Sequence, residues 1–181
     1  MLPLRQAAVH VHIQPQNGVL IYRNWAHDLT IFAFRFDRVN SPGATWGVNG
    51  TAMENVAWRT GSAAFKGDRH TIARNTVFDS RGEDPNGALF VMMYDPSKPW
   101  AIKGENAHTH LTSNAADSIF NVTGKLPGIH SGNVGGVQIR PMLGEPDSFD
   151  FRPRAGSALD TMGAGAYSRQ AAYWTPGSRA H

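Results

Sequence analysis

Four short segments of the chain line up without gaps, and they constrain its fold more than anything else in the sequence. They are Ile21-Tyr22-Arg23-Asn24-Trp25-Ala26, Ala52-Met53-Glu54-Asn55-Val56-Ala57, Ile72-Ala73-Arg74-Asn75-Thr76-Val77 and Leu111-Thr112-Ser113-Asn114-Ala115-Ala116. Each reads apolar-x-x-Asn-x-small apolar. The asparagines stand 31, 20 and 39 residues apart. A shortest period near 20, lengthened elsewhere by Gly-, Pro- and Asn-rich insertions, is the signature of stacked β-coils with loops of variable size. In such a stack each Asn marks a sharp bend. Its amide donates to one neighbour and accepts from the next, which satisfies backbone groups that the bend leaves unpaired.

A second block extends the register. Ala33-Phe34-Arg35-Phe36-Asp37 falls on Ala64-Phe65-Lys66-Gly67-Asp68, both beginning nine residues after their Asn. Val91-Met92-Met93-Tyr94-Asp95 is read as a third copy, delayed by the turn-forming insertion Arg81–Gly87. Strand residues alternate faces. Phe34, Phe65 and Met92 are therefore expected to stack inward, and Arg35, Lys66 and Met93 to point outward. A helical alternative fails, because 19 Gly and 11 Pro are spread through the chain and no long segment keeps a 3.6-residue apolar period.

Composition narrows the function classes. With 41% hydrophobic and 10% aromatic residues the chain has enough for a real core. It has no Cys, which removes disulfides, a thiol nucleophile and Cys-ligated metal sites. No apolar run approaches the 18 or so residues of a membrane-spanning helix. The formal charge of +3 is mild, and the arginines are scattered from Arg5 to Arg179, which argues against nucleic acid as a partner. An Arg-leaning surface suits carboxylate-bearing polymers, since the guanidinium fork matches carboxylate geometry. Walker, Gly-x-Gly-x-x-Gly, His-Glu-x-x-His and Gly-x-Ser-x-Gly motifs are absent from the sequence.

The stretch Asn24-Trp25-Ala26-His27-Asp28, then Phe34–Asp37, Lys66–Asp68 and His70–Ser80, resembles right-handed parallel β-helix proteins of the pectate-lyase-like superfamily. The run Asp150–Asp160 followed by Gly163–Tyr167 resembles the closing segment of such chains. The resemblance covers about residues 9–167 and points towards secreted or cell-surface members. It implies a fold and leaves activity open, because the superfamily holds lyases, hydrolases, epimerases, adhesins and scaffolds. For lyases of this kind it implies an Arg or Lys base, here Arg35 or Lys66, and carboxylates that hold Ca²⁺, here Asp37, Asp68 and Asp95.

Other candidates are weaker on their residues. His10 with His12, and His108 with His110, share strand faces, but the Glu of a cupin motif follows neither pair. His70 falls on the inward face with Ile72 and is expected to be structural. Trp25, Trp46, Trp58, Trp100, Tyr22 and Tyr94 are candidates for a sugar platform, with Trp58 the leading ligand-binding residue. Trp58 and Phe78 both lie three residues after an Asn, which also fits a recurring packing site. Asn49-Gly50-Thr51 and Asn121-Val122-Thr123 are glycosylation sequons.

The expectation is an all-β chain: a right-handed parallel β-helix (β-solenoid) of about four to six coils over residues 1–142, with an irregular C-terminal cap over 143–181. Gly124–Gly136 reads as a long loop. The abrupt entry into Val9–Ile13 suggests missing upstream coils, and Met1–Ala8 has no signal-peptide h-region. An open N-terminal edge is expected to pair with another copy or another β-helix chain. Two functional classes follow. One is a structural or carbohydrate-binding module of an extracellular or cell-surface assembly. The other is a polysaccharide lyase or related enzyme acting on acidic glycans. The first is preferred, because the cation column is only two residues deep and no His/Tyr acid–base pair accompanies it. No metal or cofactor is expected unless the chain is a lyase, in which case Ca²⁺ is.

Overall fold

The computed structural model describes residues 9–11, 17–37, 47–81, 89–91, 97, 102–120, 125–168 and 174. It is predominantly β. Most strands are three residues long because a tight bend follows almost every one. In chain order they are β1 (Val9–Val11), β2 (Leu20–Tyr22), β3 (Trp25–His27), β4 (Phe34–Phe36), β5 (Thr51–Met53), β6 (Val56–Trp58), β7 (Ala63–Phe65), β8 (Thr71–Ala73), β9 (Thr76–Phe78), β10 (Leu89–Val91), β11 (His110–Thr112), β12 (Ala115–Ala116), β13 (Ile119–Phe120) and β14 (Ile129–Ser131). The chain visits three parallel sheets in rotation, so each sheet takes every third strand. Their orders are β1-β4-β7-β10-β13, β2-β5-β8-β11-β14 and β3-β6-β9-β12. Four layers result: β2 to β4, β5 to β7, β8 to β10, and β11 to β13.

Strand alternation sends one residue set into the space between the sheets. Ile21, Ala52, Ile72 and Leu111 are paired in register and buried, as are Ala26, Ala57, Val77 and Ala116. Phe36, Phe65 and Val91 fill the third side.

The asparagine repeat is present as drawn from the sequence and one rung longer. Asn24 Nδ2 donates to Asn55 Oδ1 at 3.0 Å, Asn55 Nδ2 to Asn75 Oδ1 at 2.9 Å, and Asn75 Nδ2 to Asn114 Oδ1 at 2.9 Å. Asn114 Nδ2 donates to Asn133 Oδ1 at 3.0 Å. Each Oδ1 also accepts the backbone N–H of the preceding Asn in the ladder. From Asn55 onward, the second Nδ2 proton goes to a backbone carbonyl, those of Ile21, Ala52, Ile72 and Leu111 in turn. The residue before each Asn is left-handed: Arg23, Glu54, Arg74, Ser113 and Gly132 have φ between 49° and 62°. For the four that carry a Cβ this conformation costs about 1–2 kcal/mol each, and the saturated amides opposite offset it.

Three expectations need correction. First, Phe34 does not pair with Phe65. The register is Arg35 to Ala64 and Phe36 to Phe65. Residues 28–33, between β3 and β4, make a connection two residues longer than residues 59–62, between β6 and β7. A slip of two preserves faces, so Phe34 is buried as expected while Arg35 and Lys66 are not stacked. For β10 the insertion amounts to six residues and not seven, an odd slip that turns Val91 inward opposite Phe65. Met92, Met93 and Asp95 lie outside the described residues. Second, Gly124–Gly136 is not one long loop. It contains β14 and Asn133, whose signature was hidden because His130 takes the place of the apolar residue three before the Asn.

Third, the segment from Leu143, expected to be irregular, holds a strand pair and a helix. Strands β15 (Leu143–Glu145) and β16 (Asp150–Pro153) pair antiparallel, and the short helix α1 (Ala158–Met162) follows, capped by the Ser157 side chain. They lie along the outer side of the β3-β6-β9-β12 sheet. Gly165 N–H donates to Ser113 O, Ala166 N–H to Thr76 Oγ1, and Trp25 Nε1–H to Tyr167 Oη at 2.8 Å. A second core forms there from Val56, Trp58, Phe78, Leu143, Phe151, Leu159 and Tyr167.

Candidate functional site

The sequence-derived site residues divide among three places. Arg35, Asp37 and Lys66 meet. Arg35 Nη2 lies 2.6 Å from Asp37 Oδ2, and Lys66 Nζ lies 3.0 Å from Asp37 Oδ1. The Lys66 and Asp37 side chains are 6% and 3% exposed, so Lys66 is not an outward residue. Arg35 is partly exposed and lies over the Phe32 ring. A proton-abstracting base must give up positive charge, whereas a carboxylate against a cation favours the charged form.

Asp68 goes elsewhere. It accepts the backbone N–H of His108 at 2.8 Å, and its other oxygen faces His108 Nδ1 at 2.8 Å. Burial works to raise the Asp68 carboxyl, but these hydrogen bonds outweigh it and leave it lowered. His108 thus sits in the turn before β11, apart from the strand residue His110. Asp95 lies outside the described residues, as do His12, Trp46, Tyr94, Trp100 and Asn121. Among the described residues, no three His, Asp or Glu side chains gather as metal ligands. No helix there is long and apolar enough to cross a membrane.

Trp58 is 1% exposed. It stacks on His27 and Phe78 and touches Phe151 at a centroid distance of 4.8 Å. A ring covered on both faces offers nothing to a sugar, so its place as a ligand-binding residue is corrected to core packing. His70 is structural too. Its Nδ1 accepts the Gly50 N–H at 2.9 Å, which puts the proton on Nε2, 2.9 Å from Lys66 O. Burial pushes the imidazole below its ordinary value.

What the sequence did not single out is an open polar cleft of about 320 Å³ lined by Asp79, Ser80, Asp117, Gln138, Arg140 and Pro141. Asp79 and Asp117 follow β9 and β12, one layer apart. Arg140 heads a single 3₁₀ turn, Arg140–Met142, and binds Asp79 through Nε at 2.6 Å and Asp147 through Nη1 at 2.9 Å. Its guanidinium lies 5.6 Å from the Phe78 ring centre. Asp117 accepts the backbone N–H groups of Ile139 and Asp79, both at 2.8 Å. Burial nonetheless raises its carboxyl above the ordinary value, with the charge of Asp79 adding to the effect. The repeat gave no signal for this pair, because Asp79 stands four residues after Asn75 and Asp117 three after Asn114. Arg140 and Gln138 come from a segment outside the repeat.

Two charged columns run beside these turns. Glu54 accepts from Arg23 and Arg74 on either side, at 2.9 and 2.7 Å. Burial works to raise its carboxyl, but the two guanidinium bonds leave it lowered. Arg59 forks onto Asp28 with two 2.6 Å bonds, which hold that exposed carboxyl well below the usual range. Most cations described here are thus neutralised within the protein.

Comparison with known protein families, with curated proteins and with solved structures finds no match to this chain.

Proposed function

We propose that this chain is a right-handed parallel β-helix acting as a structural or carbohydrate-binding module of an extracellular or surface assembly. The rotation of strands through three parallel sheets and the asparagine ladder support the helical reading. Right-handedness follows from the strong bias of parallel crossovers, about 98% of cases. The binding reading rests on the polar cleft. Its volume of about 320 Å³ falls at the small end of ligand sites. Guanidinium, carboxylate, amide and hydroxyl groups converge there, and planar two-pronged groups suit the adjacent hydroxyls of a sugar ring.

Affinity electrophoresis through gels containing neutral or acidic polysaccharides tests this reading. Retardation by at least one of them is expected, with affinity reduced about fivefold in Gln138→Ala, the worth of roughly one hydrogen bond. Migration unchanged by every polysaccharide would overturn the binding reading.

The alternative is a lyase acting on acidic glycans, with Arg35 and Lys66 brought together at Asp37. The check is ultraviolet absorbance of unsaturated uronate products, with and without added Ca²⁺. A lyase gives a rise that disappears in Arg35→Ala. The scaffold or binding reading gives no rise from the folded protein.

A further inference from the structure

The asparagine ladder ends with complementary valences. At one end, Asn24 donates through its backbone N–H and Nδ2, but among the described residues nothing donates to its Oδ1. At the other end, Asn133 Oδ1 is filled by Asn114, and Nδ2 reaches Leu111 O. The Asn133 backbone N–H and the second Nδ2 proton have no acceptor among the described residues. These are the two donors that each inner rung directs at the next Oδ1. The sheet edges agree. Among the described residues, strands β2 and β14 stand at opposite ends of one sheet, each paired on one side only. Leu20 and Ile129 occupy the same outward column of that sheet, through Thr51, Thr71 and His110. They are 63% and 57% exposed, the large apolar residues at its two ends.

We propose that a second copy of this chain stacks head to tail on the first, its Leu20–Asn24 edge against the Ile129–Asn133 edge. Strand β2 of one copy adds beside β14 of the other at the ordinary parallel spacing. Asn133 N–H and Nδ2–H then donate to Asn24 Oδ1 of the next copy, and Leu20 covers Ile129. In the interior column His130 lies between Leu111 and the next copy's Ile21. Such an interface is heterologous and does not close, so copies add in a row. The proposal rests on the layered ladder alone and is independent of glycan binding, so failure of either leaves the other standing.

Edge lysines test it, because a charge on an unpaired strand blocks pairing. Leu20→Lys blocks one edge and Ile129→Lys the other. Both positions are exposed, so folding is expected to be retained and is checked by circular dichroism. In analytical ultracentrifugation across a dilution series, the wild-type chain is expected to pass through dimer to larger species. Each variant alone is expected to stay monomeric. An equimolar mixture of the two is expected to form a dimer and stop, because each supplies the edge that the other lacks. A wild-type monomer throughout, dimers of either variant alone, or a mixture that stays monomeric would each overturn the proposal.

Discussion

Replacing Asn75, one of the buried inner rungs of the ladder, by alanine is expected to lower stability by about 3–5 kcal/mol. The amide is 2% exposed and makes four hydrogen bonds: it accepts from Asn55 N and Asn55 Nδ2 and donates to Ala52 O and Asn114 Oδ1. Alanine leaves both Asn55 donors and the Ala52 carbonyl in a space that water does not reach. Each such orphan costs about 1–3 kcal/mol, and the sum is reduced by relaxation. It also leaves Arg74 left-handed with less to hold it there. Asn24→Ala removes an end rung that is partly exposed, and a loss of about 1 kcal/mol is expected. Urea unfolding of the two variants, at unchanged slope, reads the difference directly. Equal midpoints would show that the ladder is a row of independent turns rather than a shared spine.

Asp37→Ala is expected to cost about 3 kcal/mol or more, because it removes the carboxylate shared by the buried Lys66 and by Arg35. Arg35→Ala, at the more exposed side of the same cluster, is expected to cost about 1 kcal/mol. The informative variant is Asp37→Ala combined with Lys66→Met. If the penalty is the stranded ammonium, removing that charge recovers most of the loss, as replacing a whole ion pair by apolar groups commonly does. Denaturant midpoints of the single and double variants form the cycle. A double variant no more stable than Asp37→Ala would place the cost in packing instead. Either way, a group that holds the layers together is poorly suited to proton transfer, so this result bears on the lyase reading as well.

The layered fold was legible because a buried amide ladder leaves a fixed residue at a fixed offset, and nothing but Asn fills both lone pairs and both donors in that space. The inward face was legible wherever the register slip was even. Phe34 and Phe65 are both buried although they are not partners, since a two-residue difference in connection length leaves the alternation intact. The odd slip at Val91 was not legible, because turn residues carry no side-chain period to count against. Asn133 escaped because its layer ends the stack, where an exposed histidine can occupy the interior position. Of the candidate sites, the convergence of Arg35 and Lys66 was visible and its burial was not. The cleft was hidden, since Gln138 and Arg140 reach it from outside the repeat. The fate of Trp58 depended on Phe149 and Phe151, more than 90 residues later in the chain.

That last dependence bears on how the protein is made. The aromatic row of Trp25, Trp58 and Phe78 is completed by residues that leave the ribosome long after it, with Trp25 and Tyr167 separated by 142 positions. Layers can assemble one upon another during synthesis, because each contacts its neighbour. Their flank cannot close until the segment from Leu143 to Tyr167 emerges. Until then the nascent chain carries an uncovered indole-rich stripe, the kind of surface that chaperones bind and that drives aggregation. The closing segment therefore sets the moment at which the chain becomes safe to release.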